Sequence, residues 1–529
     1  MAGSKILKGT MLLSAGMFLS KFLGMLFVVP LHALVGDVGG SIYTHAYNPY
    51  AIILSISTVG LPLAVSKYVS KYNALGDYQT SQRLFRSGLV VMLVTGLVGC
   101  LFMNVFAPWL AGGSGDYTSD VIFVIRVVSV AILIAPVMSL IRGFFQGFES
   151  MGPTALSQVA EQLGRIVFGL TAATVALYIF GASRTMAVAL VAFGAFVGAG
   201  VSLAILISYW QKRKPYLDEL YANSQPQANV SLKHMYKELI SYAIPFVCVG
   251  LATMLYIQVD LFTASHFMQV FHDLKDLDSY VSNLTLYDRQ IVMIPVSLAT
   301  ALALSVVPSV TSSYSVGDRL QLTQKITQAF QMILFLVIPA AVGISMLSYQ
   351  IYFLLYGGEH LNIGGEVLRW YAPSAFLFAG FSVTAAILQG IDKQKVTIFS
   401  LLFGLLFKLS LNPLFINWFG MQGPILATDV GYLLSIGINL LAVRGRAGYA
   451  FNFVAKRFLL VGIFTTMMAI VVGVVVWISD RPETWLGALV TSIIAIILGG
   501  GFYMWLAFRS GLARQVLGKN IPIVGRFMK

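Results

Sequence analysis

Six basic residues stand where the surrounding sequence is almost wholly apolar: Lys21, Arg126, Arg165, Arg289, Arg369 and Lys408. A charge at the centre of a helix in hydrocarbon costs roughly 2.5 to 3.5 kcal/mol on insertion scales, so a residue kept there faces a cavity, a partner or a ligand. Lys21 and Lys408 fall near the middles of their apolar stretches, whereas Arg126, Arg289 and Arg369 begin theirs and can snorkel. Setting aside Asp120, Asp288 and Glu366 at stretch ends, only Glu161, Asp260 and Asp429 are available to neutralise them. Glu161 and Arg165 are four residues apart, the spacing of a self-satisfied helical ion pair. Asp260 and Lys408 are expected to be partners across two helices. Lys21 has no acid within helical reach, which suits it to a phosphate or another anionic group. The excess of cations predicts an electropositive cavity and an anionic substrate.

Other chemistry is not indicated. No nucleotide loop, paired-cysteine spacing or nucleophile motif occurs, and His32, His45, His234, His266, His272 and His360 lack ligand spacing. Cys100 and Cys248 lie inside apolar segments and read as packing residues. No cofactor, no metal and no enzymatic activity are therefore expected. Without a nucleotide-binding domain, movement of a substrate must draw on an ion gradient, the membrane potential or the substrate's own gradient.

The elements that hold these residues are set by composition. Of 529 residues, 58% are hydrophobic and 10% charged, with a mean hydropathy of +0.82, against about 45–50% and 25% in soluble domains. The apolar residues form fourteen blocks, at 11–36, 47–69, 87–111, 120–144, 153–181, 186–210, 238–264, 287–312, 328–355, 366–390, 395–418, 423–443, 457–478 and 484–508. Each is long enough for a helix to cross about 30 Å of hydrocarbon. The first block contains Lys21 and lacks a small-x-small cleavage site, so it reads as a retained span and not as a signal peptide. Lysine and arginine alternate between successive loops: 25, Arg142 among them, fall on the side of the N-terminus, and Arg184, Lys275 and Arg481 on the other. That bias places both termini in the cytoplasm. It also accounts for the net charge of +13 without nucleic acid.

The blocks repeat. An offset of 243 takes Arg126 to Arg369, Gln146-Gly147 to Gln389-Gly390, Glu149 to Asp392 and Arg165 to Lys408; one of 241 takes Gly76-Asp77 to Gly317-Asp318. The expected fold is an all-α integral membrane protein of 14 transmembrane helices, with two homologous six-helix lobes plus two extra C-terminal helices. The expected divisions are 1–210 for the N-terminal lobe, 211–236 for a cytoplasmic linker, 237–445 for the C-terminal lobe, and 446–529 for spans 13–14 and a tail. Six being even, both lobes enter from one side and are related by an axis along the membrane normal.

Several stretches carry a resemblance: "KGTMLLSAGMFLSKFLGMLFVVPLHALVG", "AVSKYVSKYNALGDY", "SLIRGFFQGFESMGPTALSQVAEQ", "YDRQIVMIPVSLATALALSVVPSV" and "AAILQGIDKQKV". Over essentially its whole length the chain resembles the polysaccharide-exporter branch of the MOP flippase superfamily. Within that branch it is similar to the MurJ type, also called YtgP, with the stage V sporulation protein B group as a near relative. The resemblance implies a V-shaped pair of lobes around a cationic cavity, a tail groove bordered by the last two helices, and a bacterial plasma-membrane location. The implied activity is flipping of lipid II, the polyprenyl-pyrophosphate-linked precursor of peptidoglycan. Lys21 and Arg289 match required arginines of spans 1 and 8, and two other family arginines, near "MLFVV" and "ILSIS", have no basic match here. Arg126, Arg165 and Arg369 complete the expected substrate-binding set. Some members bind sodium between spans 7, 11 and 12; Asp260 and Asn412 could serve such a site, but Lys408, one turn before Asn412, would compete with a cation. Expected partners are lipid II and membrane lipids, with cell-wall synthesis proteins as further candidates. The alternatives are a flippase for another polyprenyl-linked glycan, such as a teichoic acid, capsule or spore-cortex precursor, a lower-ranked cation/drug antiporter, and a membrane scaffold for cell-wall enzymes.

Overall fold

The computed structural model describes residues 16, 19–58, 61–148, 150–224, 232–272 and 276–513. Lys5, Lys8, Glu149, Lys275, the centre of the 211–236 linker and the basic tail after 513 lie outside the described residues. Among the described residues there is no strand. The helices run in order α1 (Leu19–Thr58), α2 (Leu61–Ala74), α3 (Tyr78–Val105), α4 (Ala107–Leu110), α5 (Thr118–Ser129), α6 (Ala135–Gly147), α7 (Gly152–Tyr178) and α8 (Arg184–Ala222). They continue as α9 (Leu232–His272), α10 (Leu277–Ser282), α11 (Asp288–Val316), α12 (Arg319–Met346), α13 (Ser348–Tyr356), α14 (Leu361–Tyr371) and α15 (Ser374–Gly390). The last are α16 (Gln394–Phe419), α17 (Gly423–Ala447), α18 (Asn452–Ser479), α19 (Trp485–Ala495) and α20 (Gly501–Arg509). Nine helical runs among the described residues are long and apolar enough to cross a membrane. Along α3 the outward stripe is Val90, Leu93, Val94, Leu97, Val98 and Leu101, each more than half exposed. Such a face is stable in lipid and not in water. The protein is a multi-pass membrane protein.

The chain divides into two compact units, Met1–Ser265 and His266–Lys529. The division falls within α9, one apolar block later than the 211–236 linker, because most of α9 packs with the first unit. The Asn48 amide donates to Gln258 Oε1 at 2.9 Å and to the Met254 carbonyl at 3.2 Å, and Tyr236 Oη donates to Ser87 Oγ at 2.8 Å.

The repeat is visible in local geometry. Gly76 (φ +71°) and Gly317 (φ +76°) both take the left-handed conformation that glycine adopts without strain. The next residue caps the following helix in each unit: Asp77 accepts from Thr80 N–H at 3.0 Å, Asp318 from Gln321 N–H at 2.9 Å. The α7–α8 pair is held close by Gly194 and Gly198, a small-xxx-small pattern. A Cβ at Gly194 would sit 2.7 Å from the Arg165 carbonyl oxygen, and one at Gly198 would collide with that of Glu161. These glycines seat the stretch of α7 that bears both charged side chains.

Candidate functional site

In the first unit, Lys21 is exposed on the N-terminal part of α1. That part lies against α7, where Ser20 Oγ donates to the Gln158 carbonyl at 3.3 Å. Lys21 has no ion-pair or hydrogen-bond partner among the described residues, as its sequence surroundings suggested.

Arg165 does not pair with Glu161. Its Nη1 donates to Tyr47 Oη at 2.6 Å and its Nη2 to Tyr43 Oη at 2.5 Å, with the guanidinium 4.5 Å from the Tyr47 ring centre. Tyr43 and Tyr47 are one helical turn apart on α1 and stack at 5.1 Å. The pair presents two hydroxyls to one planar fork, and the i,i+4 expectation fails because this geometry uses both terminal nitrogens.

Glu161 is instead claimed by Arg142, at 2.7 Å. The Arg142 guanidinium also donates to Ser157 Oγ at 2.9 Å and Ser202 Oγ at 2.8 Å, so one side chain ties α6 to α7 and α8. Arg142 was expected among the loop charges on the N-terminal side; it is 9% exposed, inside α6. A cation flanked by "SLI" and "GFF" has apolar neighbours on both sides, and that signal could have identified it.

The second unit repeats this junction without charge. Ser400, which the offset of 243 equates with Ser157, donates to Asn439 Oδ1 at 2.8 Å, and the Asn439 amide donates to Thr384 Oγ1 at 3.1 Å. These residues tie α16, α17 and α15, the counterparts of α7, α8 and α6. Lys408, the counterpart of Arg165, is fully buried on α16 and donates to Thr428 Oγ1 and to the Pro424 carbonyl at 3.4 Å, both on α17. Asp429 lies close enough to act electrostatically on it. Asn412 is fully buried one turn further along α16, and Asp260 is buried in the first unit.

Arg289 sits in the first turn of α11, half-buried beside Tyr371 and Tyr432, and its Nε has no hydrogen-bond partner among the described residues. Arg126 and Arg369 occupy matching places, the last turns of α5 and α14, and both are exposed. Lys21 and Arg289 thus offer unused donors, whereas Arg165, Arg142 and Lys408 are engaged by protein groups.

A second feature of this unit is an apolar groove of about 370 Å³. Phe335, Pro339 and Gly343 of α12 form one wall, Met468 and Val472 of α18 another, and Ile496, Gly500, Tyr503 and Met504 the third. Tyr503 Oη donates to the Phe335 carbonyl at 2.9 Å, which leaves hydrocarbon as the main surface offered. Between α19 and α20 the helix widens to a π turn at 496–500, a local irregularity common where helices line functional sites.

Comparison with known proteins gives the family and the fold. The polysaccharide biosynthesis protein family matches residues 6–314, and the MatE family matches residues 288–414. Along 98% of its length, and 98% of the relative's, the chain is 42% identical to the lipid II flippase MurJ of Bacillus subtilis. The chain belongs to the MurJ family. It is also 27% identical to the uncharacterized membrane protein YabM of Bacillus subtilis, over 99% of this chain and 96% of that one. To that organism's stage V sporulation protein B it is 31% identical over about a third of each chain. A solved MurJ in an inward closed conformation superposes with a TM-score of 0.70 at 17% identity, covering 96% of this chain and 99% of the other. An inward-facing multidrug-resistance MATE transporter superposes at 0.64 and 15% identity, over 80% and 98%. The fold is therefore that of MurJ and MATE proteins. The 42% relative separates this MurJ-family member from the drug transporters that share its architecture.

Proposed function

We propose that this protein flips lipid II from the inner to the outer leaflet of the bacterial plasma membrane, acting as a transporter and not as an enzyme. The observation that carries the reading is the 42% identity to a lipid II flippase along 98% of the chain. The distribution of cations supports it: Lys21 and Arg289 keep donors available, as binding of a pyrophosphate requires. Arg165 and Lys408 contribute positive potential from behind the surface, and Arg126 and Arg369 guard the outer ends of their spans. The groove of about 370 Å³ beside α18 to α20 is apolar, as a polyprenyl tail requires.

A count of fourteen spans fits the helix lengths. At 1.5 Å per residue the 40-residue run Leu19–Thr58 is about 60 Å long and the 54-residue run Gln394–Ala447 about 80 Å. Each is two crossings of about 30 Å, with Gly36 (φ +63°) and Gly420 (φ +57°) breaking them near their centres. Two six-helix lobes working by alternating access, two further helices, and both termini in the cytoplasm complete the proposal. Charge movement can drive the cycle, since each negative charge carried outward gains about 2.3 kcal/mol per 100 mV.

Complementation tests the substrate. Expression should restore growth to cells depleted of their lipid II flippase, and failure of a membrane-inserted, full-length protein to do so would overturn the reading. The partial likeness to stage V sporulation protein B favours one second reading, another polyprenyl-linked glycan, which predicts rescue of that glycan's export instead.

A further inference from the structure

At one end of the first unit, α3, α6 and the far end of α8 enclose a cavity of about 330 Å³ that neither the cation set nor the apolar groove uses. Its inner wall is apolar, with Phe85 and Trp210 stacked at 4.6 Å and Leu89 and Ile207 beside them. Its rim is polar: Arg86 of α3 and Lys214 of α8 are both exposed, and Asp218 is the acid that lines it. Beyond it the start of α3 is tied to the end of α8, where Gln79 N–H donates to Ser224 Oγ at 3.0 Å and the Gln79 side chain to the Tyr221 carbonyl at 3.5 Å.

The two cations mark a membrane boundary. Arg86 stands two residues before the apolar run that begins at Gly88, and Lys214 one turn after the run that ends at Trp210. A tryptophan and a basic residue at the end of an apolar run sit at headgroup depth. The cavity is thus hydrocarbon-lined on the membrane side and cationic at the level of lipid phosphates. Basic pockets of this kind between spans select anionic headgroups.

We propose that this cavity binds an anionic glycerophospholipid, with its phosphate between Arg86 and Lys214 and an acyl chain against Leu89, Ile207 and Trp210. The excess of rim cations over Asp218 favours an anionic headgroup over a zwitterionic one. The bound lipid fills the seam between α3 and the extension of α8.

The test uses the full-length protein in detergent, titrated with phosphatidylglycerol or phosphatidylethanolamine and read by native mass spectrometry. Phosphatidylglycerol should bind the wild type more tightly than phosphatidylethanolamine. The Arg86→Gln/Lys214→Gln protein should lose about thirtyfold in phosphatidylglycerol affinity. Arg83→Gln/Lys212→Gln removes as much charge from outside the cavity and should change affinity by less than about threefold. A second readout is quenching by phosphatidylglycerol brominated on its acyl chains, which should be stronger in the wild type than in Trp210→Phe. Equal binding of the two lipids, undiminished binding by the Arg86/Lys214 variant, equal loss in the control variant, or equal quenching in Trp210→Phe would each overturn the proposal.

Discussion

Removing Glu161 should destabilise the protein more than removing Arg142, although the two form one ion pair. Glu161→Ala strands a guanidinium whose side chain is 11% exposed, leaving it only Ser157 and Ser202. A lone buried charge of this kind costs about 3 to 5 kcal/mol. The two remaining hydroxyl contacts place the expectation at the lower end, about 3 kcal/mol. Arg142→Met preserves the apolar stem and leaves a carboxylate that is 33% exposed and can be hydrated, for about 1 to 2 kcal/mol. The double variant should cost about as much as Arg142→Met alone, giving a coupling energy of about 3 kcal/mol, the cost of Glu161→Ala. The neutral junction of the second unit is the comparator, with Ser400 and Asn439 coupled by about 1 kcal/mol. Equilibrium unfolding in mixed detergent micelles measures both cycles. If the Arg142 and Glu161 effects add to within about 0.5 kcal/mol, the pair does not carry the charge compensation assigned to it.

Three further outcomes are expected. Lys21→Arg should retain much of the flipping activity, whereas Lys21→Gln and Lys21→Ala should insert normally yet lose lipid II binding, because charge and not shape holds a phosphate there; wild-type binding by folded Lys21→Gln would make Lys21 structural. Gly343 lines the apolar groove, and a Cβ built on it meets open space, so Gly343→Leu should fold with little change in melting temperature but slow the flipping of long-chain lipid II several-fold; an unchanged rate would remove the groove from the tail's path. Cysteines introduced at Gly115 and Leu277 should react with an impermeant thiol reagent from outside, and those at Leu75, Gln225 and Ala450 only after permeabilisation; labelling of position 225 in intact cells would break the fourteen-span topology.

The helices were legible because each must be apolar over its whole length, so block length alone locates it. The Gly-Asp turns were legible because they demand particular residues at adjacent positions, and the repeat showed them twice. Side-chain partners were less legible, since they depend on which faces meet. Glu161 and Arg165 share a helix, but it is Arg142, from the neighbouring α6, that reaches the acid. The Tyr43–Tyr47 pair takes the arginine from a helix more than a hundred residues away. Neither hydroxyl announces itself in an interfacial stretch rich in tyrosine. Lys21 stands out in the sequence because no acid lies within helical reach of it, and among the described residues it has no ion-pair partner.

The most direct test of lipid II flipping is reconstitution of the purified full-length protein into liposomes carrying labelled lipid II in one leaflet. The predicted result is accelerated transfer of lipid II, faster than that of other polyprenyl-linked glycans and lost in Lys21→Gln protein of equal insertion. Transfer no faster than in protein-free liposomes, or equal transfer of every polyprenyl glycan offered, would contradict it.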